Sequence, residues 1–98
     1  MTLDDVIQDI YALEGELRSF ERKYGVLSAT FYEAYQQGEE PPHEDWLRDW
    51  TAWASAYELW RKRRATYEQT LCEMKGRGET TVALMEKTAR HEPIPVPA

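Results

Sequence analysis

The sequence predicts an all-α protein: an antiparallel hairpin of two long helices with heptad-patterned apolar residues, a short helix between them and an extended C-terminal tail. Two observations carry this prediction. Apolar residues recur at intervals of three and four along two long stretches, and Pro41 and Pro42 separate the stretches. The chain has 98 residues and a formal net charge of −6, which fits one small soluble domain.

The first long helix is predicted at residues 3–24. Thr2 and Asp5 have the spacing of a capping box at its start, and Gly25 provides the stop. Its apolar residues share one stripe of the helix because they alternate intervals of three and four. They are Leu3, Val6, Ile10, Leu13, Leu17, Phe20 and Tyr24.

A short second helix is predicted at residues 28–37, with Ser28 as its N-cap and Gly38 at its end. The tandem prolines that follow cannot continue a helix interior. The third helix is predicted at residues 43–75. Its apolar stripe contains all four tryptophans, which are Trp46, Trp50, Trp53 and Trp60.

Residues 77–98 are expected to form a flexible tail, or one that becomes ordered on a partner. Alternating prolines at positions 93, 95 and 97 favour an extended chain. The helical hairpin domain is accordingly expected to span residues 1–76. The single cysteine, Cys72, excludes an intrachain disulfide and favours a reducing compartment. With no secretory signal and no long apolar run, we expect a cytoplasmic protein without membrane contact.

Charge supports an antiparallel pairing of the two long helices in which Phe20 faces Trp53. Acidic residues predominate in residues 1–40 and basic residues in 61–75, so the two segments are complementary. Arg64 falls on the apolar stripe, where a single polar residue often fixes the register or the oligomeric state. The residues expected to set the register are Arg64, Glu14 with Arg61, and Asp9 with Arg63.

The sequence carries little that predicts chemistry. His43 lies beside the tandem prolines and His91 lies in the proline-rich tail, and no catalytic or metal-binding spacing occurs. We therefore expect no enzymatic activity, no cofactor and no metal. The basic run Arg61–Arg64 raises nucleic-acid binding as a third possibility. Four consecutive helical residues spread around the helix, however, so pairing within the protein is the preferred interpretation.

The aromatic stripe is expected to be core or a protein interface. Tryptophan and tyrosine are enriched at interface centres because each buries a large area with few rotamers to restrict. The candidate partner-binding residues are Trp46, Trp50, Trp53, Trp60, Tyr35, Val82, Leu84 and Met85. The stripe can be covered by its own chain, by a second copy or by another protein, so a homodimer and a hetero-complex both stay open.

Three segments resemble small, uncharacterised prokaryotic helical proteins that are similar to antitoxins encoded beside putative toxins. The segments are LRSFERKYG at 17–25, SATFY at 28–32 and WTAW at 50–53, and the resemblance covers about residues 13–60. It implies a protein that neutralises a toxin by binding it. The net charge of −6 would attract a basic partner, such as a ribonuclease. The alternative is a homo-oligomeric coiled-coil scaffold or adaptor.

Overall fold

The computed structural model describes residues 1–97, and these residues confirm the all-α prediction. They form four helices: α1 Leu3–Tyr24, α2 Ser28–Gln36, α3 Glu44–Gly76 and α4 Thr81–Ala89. The 33 residues of α3 give it a length of about 50 Å. The long helices α1 and α3 pack together, for example through the rings of Phe20 and Trp53, whose centroids are 5.7 Å apart.

The start of α1 is a capping box. The Thr2 amide donates to Asp5 Oδ2 at 2.9 Å, and the Asp5 amide donates back to Thr2 Oγ1 at 3.3 Å. These bonds with Thr2 lower the pKa of Asp5, because they favour the charged carboxylate. At the other end Gly25 has φ 80° and donates its amide to the Glu21 carbonyl, which is the left-handed stop that glycine supplies.

The chain divides into two compact units, and α1 and α3 contribute to both. Residues Tyr11–Arg61 form the first, which we call the aromatic unit. Residues Met1–Ile10 and the chain from Lys62 onward form the second, which we call the terminal unit.

The core of the aromatic unit is centred on Trp53, which has no exposed surface. Phe31 of α2 stacks on it in parallel, with the ring centroids 3.9 Å apart. The other buried members of this core are Leu13, Leu17, Ala54 and Ala56, and six half-buried aromatic residues pack around it: Phe20, Tyr24, Tyr32, Trp50, Tyr57 and Trp60. The short helix α2 thus covers the middle of the tryptophan stripe.

The terminal unit corrects the prediction of an extended tail. Residues 81–89 form α4, and the Thr80 hydroxyl caps it by accepting a hydrogen bond from the Ala83 amide at 3.0 Å. Leu84 and Ile94 are buried with Leu3 and Met74, and the Leu3 amide donates to the Ile94 carbonyl at 2.7 Å. Residues 81–89 are helical because Thr80 caps the start of α4 and Leu84 packs into this apolar core, whereas the prolines at 93, 95 and 97 lie outside the helix, where Pro95 forms a β-bridge with Thr2.

Within residues 1–97, every helix is too short or too polar to cross a membrane.

Candidate functional site

The four tryptophans do not form one exposed stripe. Trp53 was a candidate partner contact, and its complete burial makes it a core residue instead. Trp46 and Trp50 are half-buried. The Trp46 ring meets Tyr24 edge-on at 5.1 Å between centroids, and the Trp50 ring meets Phe31 edge-on at 5.2 Å. The aromatic mass is therefore covered largely by the aromatic unit itself.

A chain of hydrogen bonds joins the three helices of this unit at Ser28. The buried indole of Trp53 donates to Ser28 Oγ at 2.9 Å, and the Ser28 hydroxyl donates to Glu21 Oε2 at 2.7 Å. The Ser28 amide donates to the same Glu21 oxygen at 2.8 Å. Among the described residues, every buried side-chain polar atom of this cluster has a hydrogen-bond partner.

Ser28 is the first residue of α2, so its prediction as the N-cap is wrong. Leu27 occupies the cap position and offers no side-chain hydrogen bond. The carboxylate of Glu21, on α1, does the capping in its place by accepting from the Ser28 amide. A negative group at this position also complements the positive end of the α2 dipole. Sequence reasoning missed Glu21, since a cap from a preceding helix leaves no local spacing signal.

A groove of about 270 Å³ opens beside the hydrogen bonds that join Ser28 and Glu21. This volume lies below the roughly 300–1,000 Å³ of pockets that enclose drug-sized ligands, so it fits an amino-acid side chain better than a metabolite. Its apolar lining consists of Leu17, Leu27, Ala29, Tyr57 and Trp60, and its polar lining of Glu14, Arg18, Glu21 and Ser28.

The groove combines an aromatic wall with two carboxylates. Trp60 stacks on Tyr57 with the centroids 5.7 Å apart, and its indole lies 3.4 Å from Glu14 Oε2. Glu21 uses its Oε2 to hold Ser28. Among the described residues no hydrogen bond reaches the Oε1 atom of either carboxylate. Both acids therefore retain an acceptor oxygen for a ligand.

The rim of the groove exposes apolar surface. Leu27 is 69% exposed and the adjacent Val26 is 41% exposed. Tyr35, a candidate from the sequence, lies at the far end of α2 and is 37% exposed, with its ring against Phe31 and Tyr32. Leu27 is not among the partner-binding residues predicted from the sequence, because its position next to Ser28 indicates a contact at the start of α2 and not an exposed surface.

The candidates on α4 divide between surface and core. Val82 and Met85 are 60% and 64% exposed, while Leu84 is only 8% exposed. Residues three apart share a helix face, and Leu84 projects to the opposite side. Leu84 is therefore a core residue of the terminal unit and not a partner contact, whereas Val82 and Met85 form a small exposed apolar face.

The predicted register residues have different roles. In the terminal unit, Arg63 Nε lies 3.0 Å from Asp9 Oδ2. Arg64 was expected on the apolar stripe, but its side chain is 46% exposed and lies 3.8 Å from Glu68 of the same helix. The stripe passes instead through half-buried Arg63, because a helical face tolerates a step of either three or four residues.

The path of the buried stripe through Arg63 was not predicted because the stripe also contains a buried polar residue, Thr70. Only 2% of it is exposed, and its hydroxyl donates to the Thr66 carbonyl at 2.8 Å. A threonine whose hydroxyl bonds within its own helix can occupy an apolar position without an unsatisfied group. The sequence analysis placed Leu71 on the stripe, and Leu71 is half-buried beside it.

Glu14 and Arg61 do not pair with each other in the aromatic unit. Glu14 faces the indole of Trp60, and the Arg61 guanidinium lies over the rings of Tyr57 and Tyr32, at 5.9 and 6.0 Å from their centroids. Arg61, Arg63 and Arg64 thus each have an intramolecular contact, and those contacts differ in kind.

Residues 1–97 contain no group of three or more histidine, cysteine or acidic side chains placed to hold a metal ion. No protein-family model matches the chain, and neither a curated protein nor a solved structure matches it.

Proposed function

We propose that this chain is a protein-binding module of the antitoxin type, which neutralises a partner toxin in the cytoplasm by binding it directly. The observation that carries the proposal is the groove beside Ser28, with its aromatic wall, its two carboxylates and the exposed Leu27 on its rim. The antitoxin part rests on the sequence resemblance. The residues that carry that resemblance, 13–60, fall inside the aromatic unit that contains the groove.

Charge and apolar surface would contribute to binding in different ways. The net charge of −6 would raise the rate of association with a basic toxin, because complementary fields steer the encounter. Burial of Leu27 and the groove wall would slow dissociation, since well-packed aromatic and aliphatic contacts dominate interface energies.

The test is co-expression with the product of the adjacent reading frame. We expect that product to inhibit growth, the chain to relieve the inhibition, and the two proteins to co-purify. An adjacent product that is harmless and forms no complex would overturn the proposal.

Two matched variants locate the contact surface. Leu27→Asp places a charge on the groove rim, while Leu47→Asp places one at a leucine of the same unit that is 56% exposed and does not line the groove. We expect the first variant to lose relief of toxicity and the second to keep it, with unchanged helicity by circular dichroism in both. Loss in both, or in neither, would contradict the assignment to the groove.

The alternative, a homo-oligomeric scaffold or adaptor, has one observation in its favour. Val82 and Met85 expose an apolar face on α4, and a second copy could cover it. The α1 stripe is not available for this purpose, because Leu13 and Leu17 are buried within the chain. Light scattering over a range of concentrations tests this alternative: it requires a dimer that Met85→Asp dissociates, and a monomer at every concentration would exclude it.

A further inference from the structure

We infer that the groove beside Ser28 receives an arginine side chain of a partner protein, with the stem on Leu17 and Leu27 and the guanidinium on the carboxylates of Glu14 and Glu21. This inference rests on the proposed function for the identity of the partner as a protein. It adds the chemistry that the groove recognises.

The volume of the groove limits what it can hold. A volume of about 270 Å³ is small for a metabolite and suits one long side chain. Leu17, which is only 6% exposed, forms part of the apolar lining of the groove together with Leu27. A long aliphatic stem can therefore bury its methylene groups there while its polar end reaches the rim.

The charged side chains around the groove are predominantly acidic. Two carboxylates and one guanidinium line it, those of Glu14, Glu21 and Arg18, so the balance is acidic, like that of the chain as a whole. Each carboxylate keeps one oxygen that accepts no hydrogen bond from residues 1–97. A cationic ligand satisfies these acceptors, whereas an anionic or wholly apolar side chain would leave them buried and unpaired.

The groove suits the side chain of arginine better than that of lysine. The planar guanidinium matches carboxylate oxygens with paired donors and lies favourably along aromatic rings. The groove offers both kinds of surface, since Trp60 and Tyr57 form one wall next to Glu14. The same unit already shows this type of contact, because the guanidinium of Arg61 lies 5.9 Å from the Tyr57 ring centroid.

Amide NMR with a defined probe tests the inference without the toxin. The probe is the blocked tripeptide acetyl-Leu-Arg-Gly-amide, and the control is the same peptide with citrulline, which keeps the shape and removes the charge. We expect the arginine peptide to shift the indole resonance of Trp60 saturably, the citrulline peptide to bind at least about tenfold more weakly, and the indole resonance of Trp46, which does not line the groove, to stay unchanged. Equal shifts with both peptides, or no saturable shift, would overturn the inference.

Three variants sharpen this titration. Glu14→Gln keeps an acceptor for the Trp60 indole but removes the charge, and we expect at least about tenfold weaker binding of the arginine peptide. Glu16→Gln, at an exposed position outside the groove, serves as the matched control and should bind as the wild type does. Arg18→Gln removes the only cation among the described groove residues and should tighten binding severalfold. Weaker binding to Arg18→Gln, or equal binding to all three, would contradict the inference.

Glutamine variants of the two groove carboxylates, Glu14→Gln and Glu21→Gln, separate this inference from the proposed function. A toxin complex that forms equally well with wild type, Glu14→Gln and Glu21→Gln would refute the arginine site and leave toxin neutralisation intact. If the arginine peptide shifts the Trp60 resonance saturably but the chain does not neutralise the product of the adjacent reading frame, the proposed toxin neutralisation is refuted and the arginine site stands.

Discussion

The rings of Phe31 and Trp53 lie parallel, with their centroids 3.9 Å apart and an angle of 2° between their planes. Trp53 is fully buried and Phe31 is 4% exposed, so this pair is the tightest aromatic contact in the aromatic unit. This contact packs α2 against α3 at the centre of the core. The stacking also explains how a chain with four tryptophans can keep the most central one out of solvent.

Removal of the Phe31 ring should therefore destabilise the protein strongly. We expect Phe31→Ala to lower the free energy of unfolding by about 3–5 kcal/mol, because it leaves a cavity against Trp53. Tyr35→Ala, on the same helix but 37% exposed, is the control and should cost about 1 kcal/mol or less. Urea denaturation monitored by circular dichroism measures both. Similar losses for the two variants would contradict the central role of the stacked pair.

The hydroxyl of Ser28 is expected to contribute to the free energy of unfolding although it is a small group. Ser28→Ala removes the acceptor of the Trp53 indole and leaves that N–H buried without a partner, which costs about 1–3 kcal/mol. Ser19→Ala, at an exposed position of α1, should change the free energy of unfolding by less than about 0.5 kcal/mol. An unchanged free energy of unfolding for Ser28→Ala would mean that the hydrogen bonds from Trp53 through Ser28 to Glu21 do not stabilise the protein.

Stability should depend on pH through Asp49. The ammonium of Lys23 and the hydroxyl of Tyr24 donate to its carboxylate at 2.6 and 2.7 Å, and these bonds lower the pKa of Asp49 below its ordinary value of 3.8. A carboxyl whose pKa is depressed by folding stabilises the native state above the unfolded-state pKa. That contribution is lost as the pH falls through the folded-state pKa.

We therefore expect the free energy of unfolding to fall as the pH drops below about 4, and Asp49→Asn to flatten part of this dependence. Glu40→Gln, in the exposed loop before α3, serves as the control. The measurement is a series of urea denaturations from neutral to acidic pH. A wild type and an Asp49→Asn variant with the same pH slope would refute this role of Asp49.

The core of the terminal unit offers a test of α4. Leu84→Ala should lower the free energy of unfolding by about 2–5 kcal/mol, because Leu84 packs with Leu3, Met74 and Ile94. Val82→Ala, two residues earlier and 60% exposed, should have an effect of less than about 0.5 kcal/mol. Thermal denaturation of both variants is sufficient. Equal midpoints would indicate that α4 does not pack as described.

The long helices were predictable because their signals are local and repeated. Residues 3–24 and 43–75 were expected to be helical, and α1 and α3 lie at Leu3–Tyr24 and Glu44–Gly76. The capping box of α1 was also readable, since Thr2 and Asp5 are three residues apart. By contrast, α4 has only nine residues and a single buried leucine. So short a segment shows too little apolar periodicity to predict a helix from the sequence.

The candidate site was harder to predict because its parts are distant in sequence. Ser28 joins Glu21, seven residues before it, to Trp53, 25 residues after it, and no spacing rule connects such positions. The tryptophan stripe correctly indicated a concentration of aromatic residues, but not which of them α2 covers. Leu27 and Glu21, two residues of the groove, take their roles only from the packing of three helices.

The capping of α2 by Glu21 has a consequence for when the groove exists. A helix of nine residues is too short to be stable alone in water, so α2 depends on the carboxylate from α1 and on the Trp53 ring. Local unfolding of α2 would remove Leu27, Ser28 and Ala29 from the groove wall and erase the site. Binding at the groove would then draw on the folding free energy of this one helix, and a bound ligand would protect its amides from hydrogen exchange.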